Sequence, residues 1–292
     1  MDSRLFDQPS HSREHKLSHF SSFRFGSVPV DLGLEGRVAI VAAASKGLGK
    51  AVAYSLAREG ARVAICARDP ESLARTAEEI QRSSGAEVFH QPLDVAQPEA
   101  ISSFVAAVEE RFGRIDICVT NSGGPPSKPF RETSADEWKA AAEQLLFSTV
   151  HFSREVLPRM QQRGWGRLIT ITSSAVRQPV DGLLLSNSLR AAVAGLAKTL
   201  ATEYAPFGIT VNNVCPGYTR TDRLDGLARS IATRSGIKQE EVFANWQKQI
   251  PAARLGTPEE FAAAVTFLAS EPAAYINGVS LAVDGGLVRS LL

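Results

Sequence analysis

The sequence is poor in the features that mark secreted, membrane-spanning and nucleic-acid-binding chains. Its 292 residues include only three cysteines, Cys66, Cys118 and Cys215, each inside an apolar, strand-like run. An odd set without framework or ligand spacing argues against a disulfide scaffold and against a metal site. These read as buried, reduced thiols and place the protein in the cytoplasm, a reactive thiol at Cys215 being the lesser alternative. Charge excess is also missing: 32 lysines and arginines face 31 aspartates and glutamates, so neither nucleic acid nor a membrane surface is the expected partner. Every apolar run is broken well before the length of about 18 residues that a membrane-spanning helix needs.

Residues 1 to about 33 differ from the rest. They are rich in Ser, His and charge, with scattered Phe and no sustained period. The stretch lacks the apolar core of a secretory signal, its acidic residues argue against a transit peptide, and a flexible arm is expected. His11, His15 and His19 would share a helical face, but histidines in a polar arm are ordinarily solvated, and no metal site is expected there.

From residue 34 to 292 the pattern alternates between short apolar runs and amphipathic stretches. Strands are predicted over Val38 to Val41, Arg62 to Cys66, Val88-Phe89, Ile115 to Val119, Leu168 to Thr172, Ile209 to Val214 and Val279 to Val283. Helices lie between them. Asp69-Pro70 supplies an N-cap and a first-turn proline, Gly85 a C-terminal stop, and the spacings Ser134 to Glu137 and Thr257 to Glu260 fit capping boxes. Repeated strand–helix units with apolar strands predict an α/β fold, one domain with a parallel sheet covered on both faces.

The first strand–helix turn reads Ala42-Ala43-Ala44-Ser45-Lys46-Gly47-Leu48-Gly49. Glycines there let backbone approach a pyrophosphate, and the helix that follows presents free N–H groups to it. The turn resembles the three-glycine turn of the short-chain dehydrogenase/reductase family, with Ala43 where the first glycine is usual. Further landmarks resemble that family in order between about residue 35 and 288. Asp94-Val95 is similar to its adenine-contacting pair and Asn121-Ser122-Gly123 to its Asn-Ala-Gly turn. Pro216-Gly217, with Thr219 and Thr221, is similar to its nicotinamide loop, and Val283-Asp284-Gly285-Gly286 to its last strand end. The resemblance implies a Rossmann-type doubly wound sheet and a nicotinamide dinucleotide. The methyl of Ala43 is expected to resist the positive φ open to glycine. At the end of the second strand stand Ala67 and Arg68 rather than an acidic residue, and Lys46 adds a second cation, which favours NADP(H) over NAD(H).

At the reacting centre the resemblance implies a serine, a tyrosine, a lysine four residues later and an asparagine on an earlier helix. Ser173 takes the serine place, but Ser186 takes that of the tyrosine, Arg190 that of the lysine and Leu145 that of the asparagine. No shift of register repairs this, because no tyrosine lies between Tyr54 and Tyr204. A serine hydroxyl is a far weaker acid than a phenol, and arginine holds its proton too firmly to relay one. Catalysis is therefore assigned to Ser173, Ser186 and Arg190, with Arg190 also on the ribose and Tyr218 as a candidate donor. The expected activity is NADP(H)-dependent oxidoreduction of a small carbonyl or alcohol, or a related C=N compound, with altered proton delivery. A non-redox enzyme and a catalytically silent nucleotide-binding protein are the alternatives.

The segment from about 220 to 254 is expected to form a substrate lid. It carries Arg220, Arg223, Arg229, Arg234 and Lys238, which would suit an anionic substrate, or else form a solvated face over inward-packed Phe243 and Trp246. Arg177 and Asp181 are further candidates for the pocket border. The small residues Ala191, Ala192, Ala194, Gly195 and Ala197 suit close helix packing, and the resemblance implies a homodimer or homotetramer.

Overall fold

The computed structural model describes residues 30–291, and a compact unit begins at Leu32. The arm expected over residues 1–33, with its three histidines, lies outside the described residues except for its last four. Seven strands form one parallel sheet: β1 (Val38–Ala42), β2 (Arg62–Ala67), β3 (Val88–Pro92), β4 (Ile117–Thr120), β5 (Gly166–Ile171), β6 (Ile209–Pro216) and β7 (Ser280–Val283), in the order β3-β2-β1-β4-β5-β6-β7. The central strands are buried on both faces, which is why they read as continuous apolar runs rather than alternating ones.

On one face pack α1 (Gly47–Arg58), α2 (Pro70–Ser84) and α9 (Pro258–Ala269), through residues such as Leu56, Leu73 and Phe261. On the other pack α3 (Pro98–Phe112), α5 (Ser148–Arg163) and α6 (Leu184–Tyr204), through Phe104, Phe152 and Met160. Truncating a fully buried ring such as Phe104 to alanine would cost about 3–5 kcal/mol. The caps legible in the sequence are formed. Asp69 accepts from Glu71 N–H, Gly85 takes the left-handed conformation, and Ser134 and Thr257 each make a full capping box. No helix among the described residues is long and apolar enough to cross a membrane.

One feature had no signal in the sequence. α4 (Ala135–Ala142) continues into α5 through a π-helical turn over Glu143–Phe147, one wide turn inside an otherwise continuous helix. The segment read as a lid consists of two helices, α7 (Asp222–Ser235) and α8 (Gln239–Gln249), with a small core of their own around Leu224, Ala228, Val242 and the inward-packed Trp246.

The chain runs β1 to β3 on one side of the sheet and then crosses to β4 on the other. This reversal opens a crevice beyond the carboxyl ends of β1 and β4, where ligands of doubly wound sheets bind. The opposite end of the sheet is closed by Asp116, fully buried, which accepts from Val38 N–H at 2.9 Å and from Arg114 Nε at 2.8 Å.

Candidate active site

A cleft of about 610 Å³ lies at the carboxyl ends of the strands, and with one exception every residue expected to act in catalysis or to hold the nucleotide lines it. The exception is Gly49. A Cβ there would lie 2.5 Å from the carbonyl oxygen of Ala43, so this glycine sets how closely α1 packs on the end of β1 rather than facing the cleft.

The β1–β3 half of the cleft is built by the first turn. Ala43 adopts φ +49°, so the expectation that its methyl would keep it out of the left-handed region is corrected. Neighbouring hydrogen bonds impose that conformation at a cost of about 1–2 kcal/mol. Ala44 N–H donates to Cys66 O at 3.0 Å, and Asn121 Nδ2 reaches Ala43 O at 3.4 Å. Thr76 Oγ1 donates to the carbonyl of Ser45 at 2.8 Å, tying α2 to the turn. Lys46 is the N-cap of α1 in extended conformation and makes no side-chain cap, and Gly47 and Leu48 in the first turn line the cleft.

Two cations border this half. Arg68 is exposed at the end of β2, and Lys46 Nζ sits 3.9 Å from Asp222 Oδ2 with both groups open to solvent, an attraction of little worth. The acidic groups nearby are engaged in turns. Asp69 caps α2, which together with its hydrogen bond to Ser72 lowers its pKa, and Asp94 Oδ1 accepts from Ala96 N–H at 3.1 Å beside the buried side chain of Val95. Asn121 and Gly123 follow β4 and line the floor of the cleft.

The β4–β6 half holds the altered centre. Ser173, at the end of β5, accepts from Ala175 N–H at 3.1 Å, which leaves its hydroxyl proton to donate into the cleft. Ser186 and Arg190 lie one turn apart on α6. Arg190 Nε donates to Ser186 Oγ at 3.2 Å and Nη1 to Ile171 O at 3.1 Å. Burial, and then repulsion by Arg223, push the Arg190 guanidinium down to about 10, which still leaves it protonated at neutral pH. Leu145 is buried away from the cleft, and its neighbour in the π turn, Gln144, lines it instead. The wide turn changes which residue faces inward, so counting along a regular helix misses Gln144.

The β6 loop completes the wall. A Cβ on Gly217 would lie 2.6 Å from Asp284 Cβ, so glycine permits the close approach of the β6 and β7 ends, fastened by Gly217 N–H to Val283 O at 3.0 Å. Pro216 and Thr219 line the cleft, and Thr221 caps α7 by accepting from Leu224 N–H at 3.3 Å. Cys215 is buried beneath them, its thiol raised by burial, which fits a structural thiol.

Of the basic lid residues, only Arg223 lines this cleft; Arg220 borders a neighbouring groove against α1 and α9. Trp246 packs inward, with Tyr218 stacked on it at 4.7 Å and Phe243 edge-on at 5.6 Å. Burial, helped by Asp181, raises the Tyr218 phenol, which makes it a weaker acid and a packing residue first. Arg177 donates to Ser280 O at 2.6 Å and, with Asp181, lies outside the cleft lining.

Comparison with known proteins agrees with this architecture. The family described as Enoyl-(Acyl carrier protein) reductase matches residues 42–288. The chain is 36% identical over 256 residues to the 3-oxoacyl-(acyl-carrier-protein) reductase of Vibrio cholerae, covering 88% of this chain and 99% of that one. It is 32% identical over 258 residues to the D-beta-hydroxybutyrate dehydrogenase of Rhizobium meliloti, covering 86% and 98%. Among solved structures, L-sorbose reductase from Gluconobacter frateurii, in complex with NADPH and L-sorbose, superimposes with a TM-score of 0.85 at 32% identity, over 89% of this chain and 100% of that one.

Proposed function

The chain belongs to the short-chain dehydrogenase/reductase family, and from that premise we propose that it is an NADP(H)-dependent oxidoreductase acting on a carbonyl or alcohol, or on a related C=N compound. The observation that carries this reading is one cleft bordered at one end by the cations Lys46 and Arg68 and lined at the other by Ser173 and Arg190. The residues fit a dinucleotide. Gly49 gives α1 the close packing that a bulkier residue would block, Gly47 takes φ +58°, and the first turn of α1 is uncapped. The L-sorbose reductase whose structure this chain resembles holds NADPH.

In this reading the α1 N-terminus, with Ser45 and Leu48, would hold the pyrophosphate, and Arg68 with Lys46 would hold the 2′-phosphate by charge-assisted hydrogen bonds. Asp94 and Val95 would border the adenine, Asn121 and Gly123 the floor, Arg190 the nicotinamide ribose, and Pro216, Gly217, Thr219 and Thr221 the nicotinamide. Bound NADPH would supply a hydride to a carbonyl carbon, and NADP+ would accept one in the reverse direction.

The protein's own part is to position the oxygen. Ser173 donates a hydrogen bond to it, and the fixed positive charge of Arg190 stabilises negative charge developing there. Ser186 is a far weaker acid than a phenol, and Arg190, lowered to about 10 by burial and then by Arg223, already gives its Nε and Nη1 protons to Ser186 and Ile171, so in this reading the proton that completes the alcohol comes from water reaching the open cleft. That same pair favours the second reading, a non-redox enzyme or a nucleotide-binding protein without turnover.

Titration with NADPH and NADH decides between them. Selective NADPH binding, weakened at least about tenfold in Arg68→Glu, is expected from loss of a charge-assisted pair. Failure of both nucleotides to bind would remove the oxidoreductase reading. NADPH binding without oxidation by any aldehyde, ketone or imine would leave the second.

A homodimer or homotetramer is part of the proposal. Ala191, Ala192 and Gly195 face solvent on α6 while Val193 and Ala197 face the core, leaving an outward strip for another copy. Light scattering on Gly195→Trp is expected to show a smaller assembly.

A further inference from the structure

Resting on the oxidoreductase reading, we propose that Arg223, Arg190 and Gln144 form a carboxylate-binding subsite in the β4–β6 half of the cleft, and that the substrate is an oxo acid or the matching hydroxy acid. Three observations lead there. First, Arg223 leaves the lid and lies across the backbone after β4. A Cβ on Gly124 would sit 2.6 Å from its Nη2, which donates to Pro125 O at 2.9 Å. Second, the adjacent glycine admits the Gln144 amide in the same way, since a Cβ on Gly123 would lie 2.8 Å from Gln144 Nε2. The pair Gly123-Gly124 therefore leaves room for two polar side chains, both of which line the cleft.

Third, the two guanidinium groups line the same cleft. Burial, and then repulsion by Arg223, destabilise Arg190 as a cation, and among the described residues neither arginine pairs with a carboxylate. The acidic residues that line the cleft are Asp69 and Asp94, held in turns near β2 and β3, and Asp222, beside Lys46. Two like charges held in a partly desolvated cleft are favourable only when an anion joins them.

Location assigns that anion to the substrate. Nucleotide phosphates belong at the α1 N-terminus and Arg68, beyond β1 and β2. Arg190 is fixed to the end of β5 and Arg223 to the segment after β4, and both line the cleft with Ser173. Among the described residues the Arg223 side chain makes no hydrogen bond besides that to Pro125 O. The planar fork of arginine suits the two oxygens of a carboxylate.

The test uses the full chain with straight-chain 3-oxo acids from butanoate to octanoate, each beside its methyl ester. NADPH oxidation by wild type is expected to favour acid over ester in kcat/KM by about tenfold or more. Arg223→Gln and Gln144→Leu should shrink that ratio through KM, while NADPH titration shows the nucleotide still bound. Equal handling of acid and ester by wild type, or a ratio unmoved in Arg223→Gln, would overturn the subsite.

Calorimetric titration of the same acids into protein with excess NADP+ separates the two readings. If no carbonyl is reduced, acid binding that exceeds ester binding and weakens in Arg223→Gln would sustain the subsite while the redox reading falls. Absence of acid binding in that titration would overturn the subsite.

Discussion

Arg190 Nε donates to Ser186 Oγ at 3.2 Å across one turn of α6, so the two residues that depart most from the family pattern are joined to each other. The serine is thus an anchor for the guanidinium, whose second anchor is Ile171 O. Replacing Ser186 by alanine should loosen Arg190 without unfolding the helix. A hydrogen bond from a charged donor at a partly open site is worth about 1 kcal/mol, so kcat/KM is expected to fall by about fivefold. Arg190→Met removes the charge as well and should fall much further. Equal activity of Ser186→Ala and wild type would show that the hydrogen bond has no part in positioning Arg190.

Ala43 at φ +49° holds an L-residue where the backbone favours glycine. Ala43→Gly relieves that strain but gives the unfolded chain more freedom, so the net gain is expected to be about 1 kcal/mol or less. For a chain of this size that raises Tm by a few degrees at most, about 2–4 °C per kcal/mol. Calorimetry in the presence and absence of NADPH measures both stability and any change in nucleotide affinity. A lower Tm for Ala43→Gly would mean that the methyl contributes packing that outweighs the backbone strain.

Much of the fold was legible because its signals are local. The caps at Asp69, Ser134 and Thr257 are formed by residues two or three positions apart, and central strands such as β1 and β4 are short buried runs rich in Val, Ile, Ala and Cys. Most of the residues read as nucleotide contacts line one cleft because they follow the carboxyl ends of the strands. What escaped depends on distance or on departure from a regular helix. Asp116 accepts from Val38 N–H across 78 residues, and nothing near either position announces it. Gln144 reaches the cleft through a π turn that a 3.6-residue period cannot anticipate. For the basic residues at 220–254 the sequence left an anion site and a solvated face over inward-packed Phe243 and Trp246 both open, and only Arg223 lines the cleft, because Trp246 and its neighbours turn the apolar faces of α7 and α8 inward.

The cysteines should be unreactive in the folded protein. Burial pushes the Cys66 thiol up to about 12 and raises Cys118 and Cys215 as well, so the thiolate fraction near neutral pH is very small. A thiol reagent is expected to modify all three only in denaturant, and its rate under native conditions should follow unfolding. Rapid labelling of one thiol in the native protein would locate a reactive cysteine, and protection of Cys215 by NADP+ would place it at the cleft.

Glu260 offers a test of acid stability away from the cleft. Its carboxylate accepts from Arg254 Nη1 at 2.8 Å and Nη2 at 2.5 Å, and from Thr257 N–H at 2.9 Å in the capping box of α9. The Arg254 hydrogen bonds, and then the one from Thr257, lower its pKa from the ordinary 4.5 to about 2. Because the folded value lies below the unfolded one, the group stabilises the fold above about pH 4.5, and that contribution disappears as pH falls toward about 2. Glu260→Gln should therefore melt at a lower temperature than wild type at neutral pH, and the two curves should converge over that acid window. The residue is exposed, so salt should shrink the part of the difference that comes from Arg254 while leaving the capping hydrogen bond. A Tm difference that stays constant from neutral pH down to about 2 would mean that the charge of Glu260 is not what stabilises this end of α9.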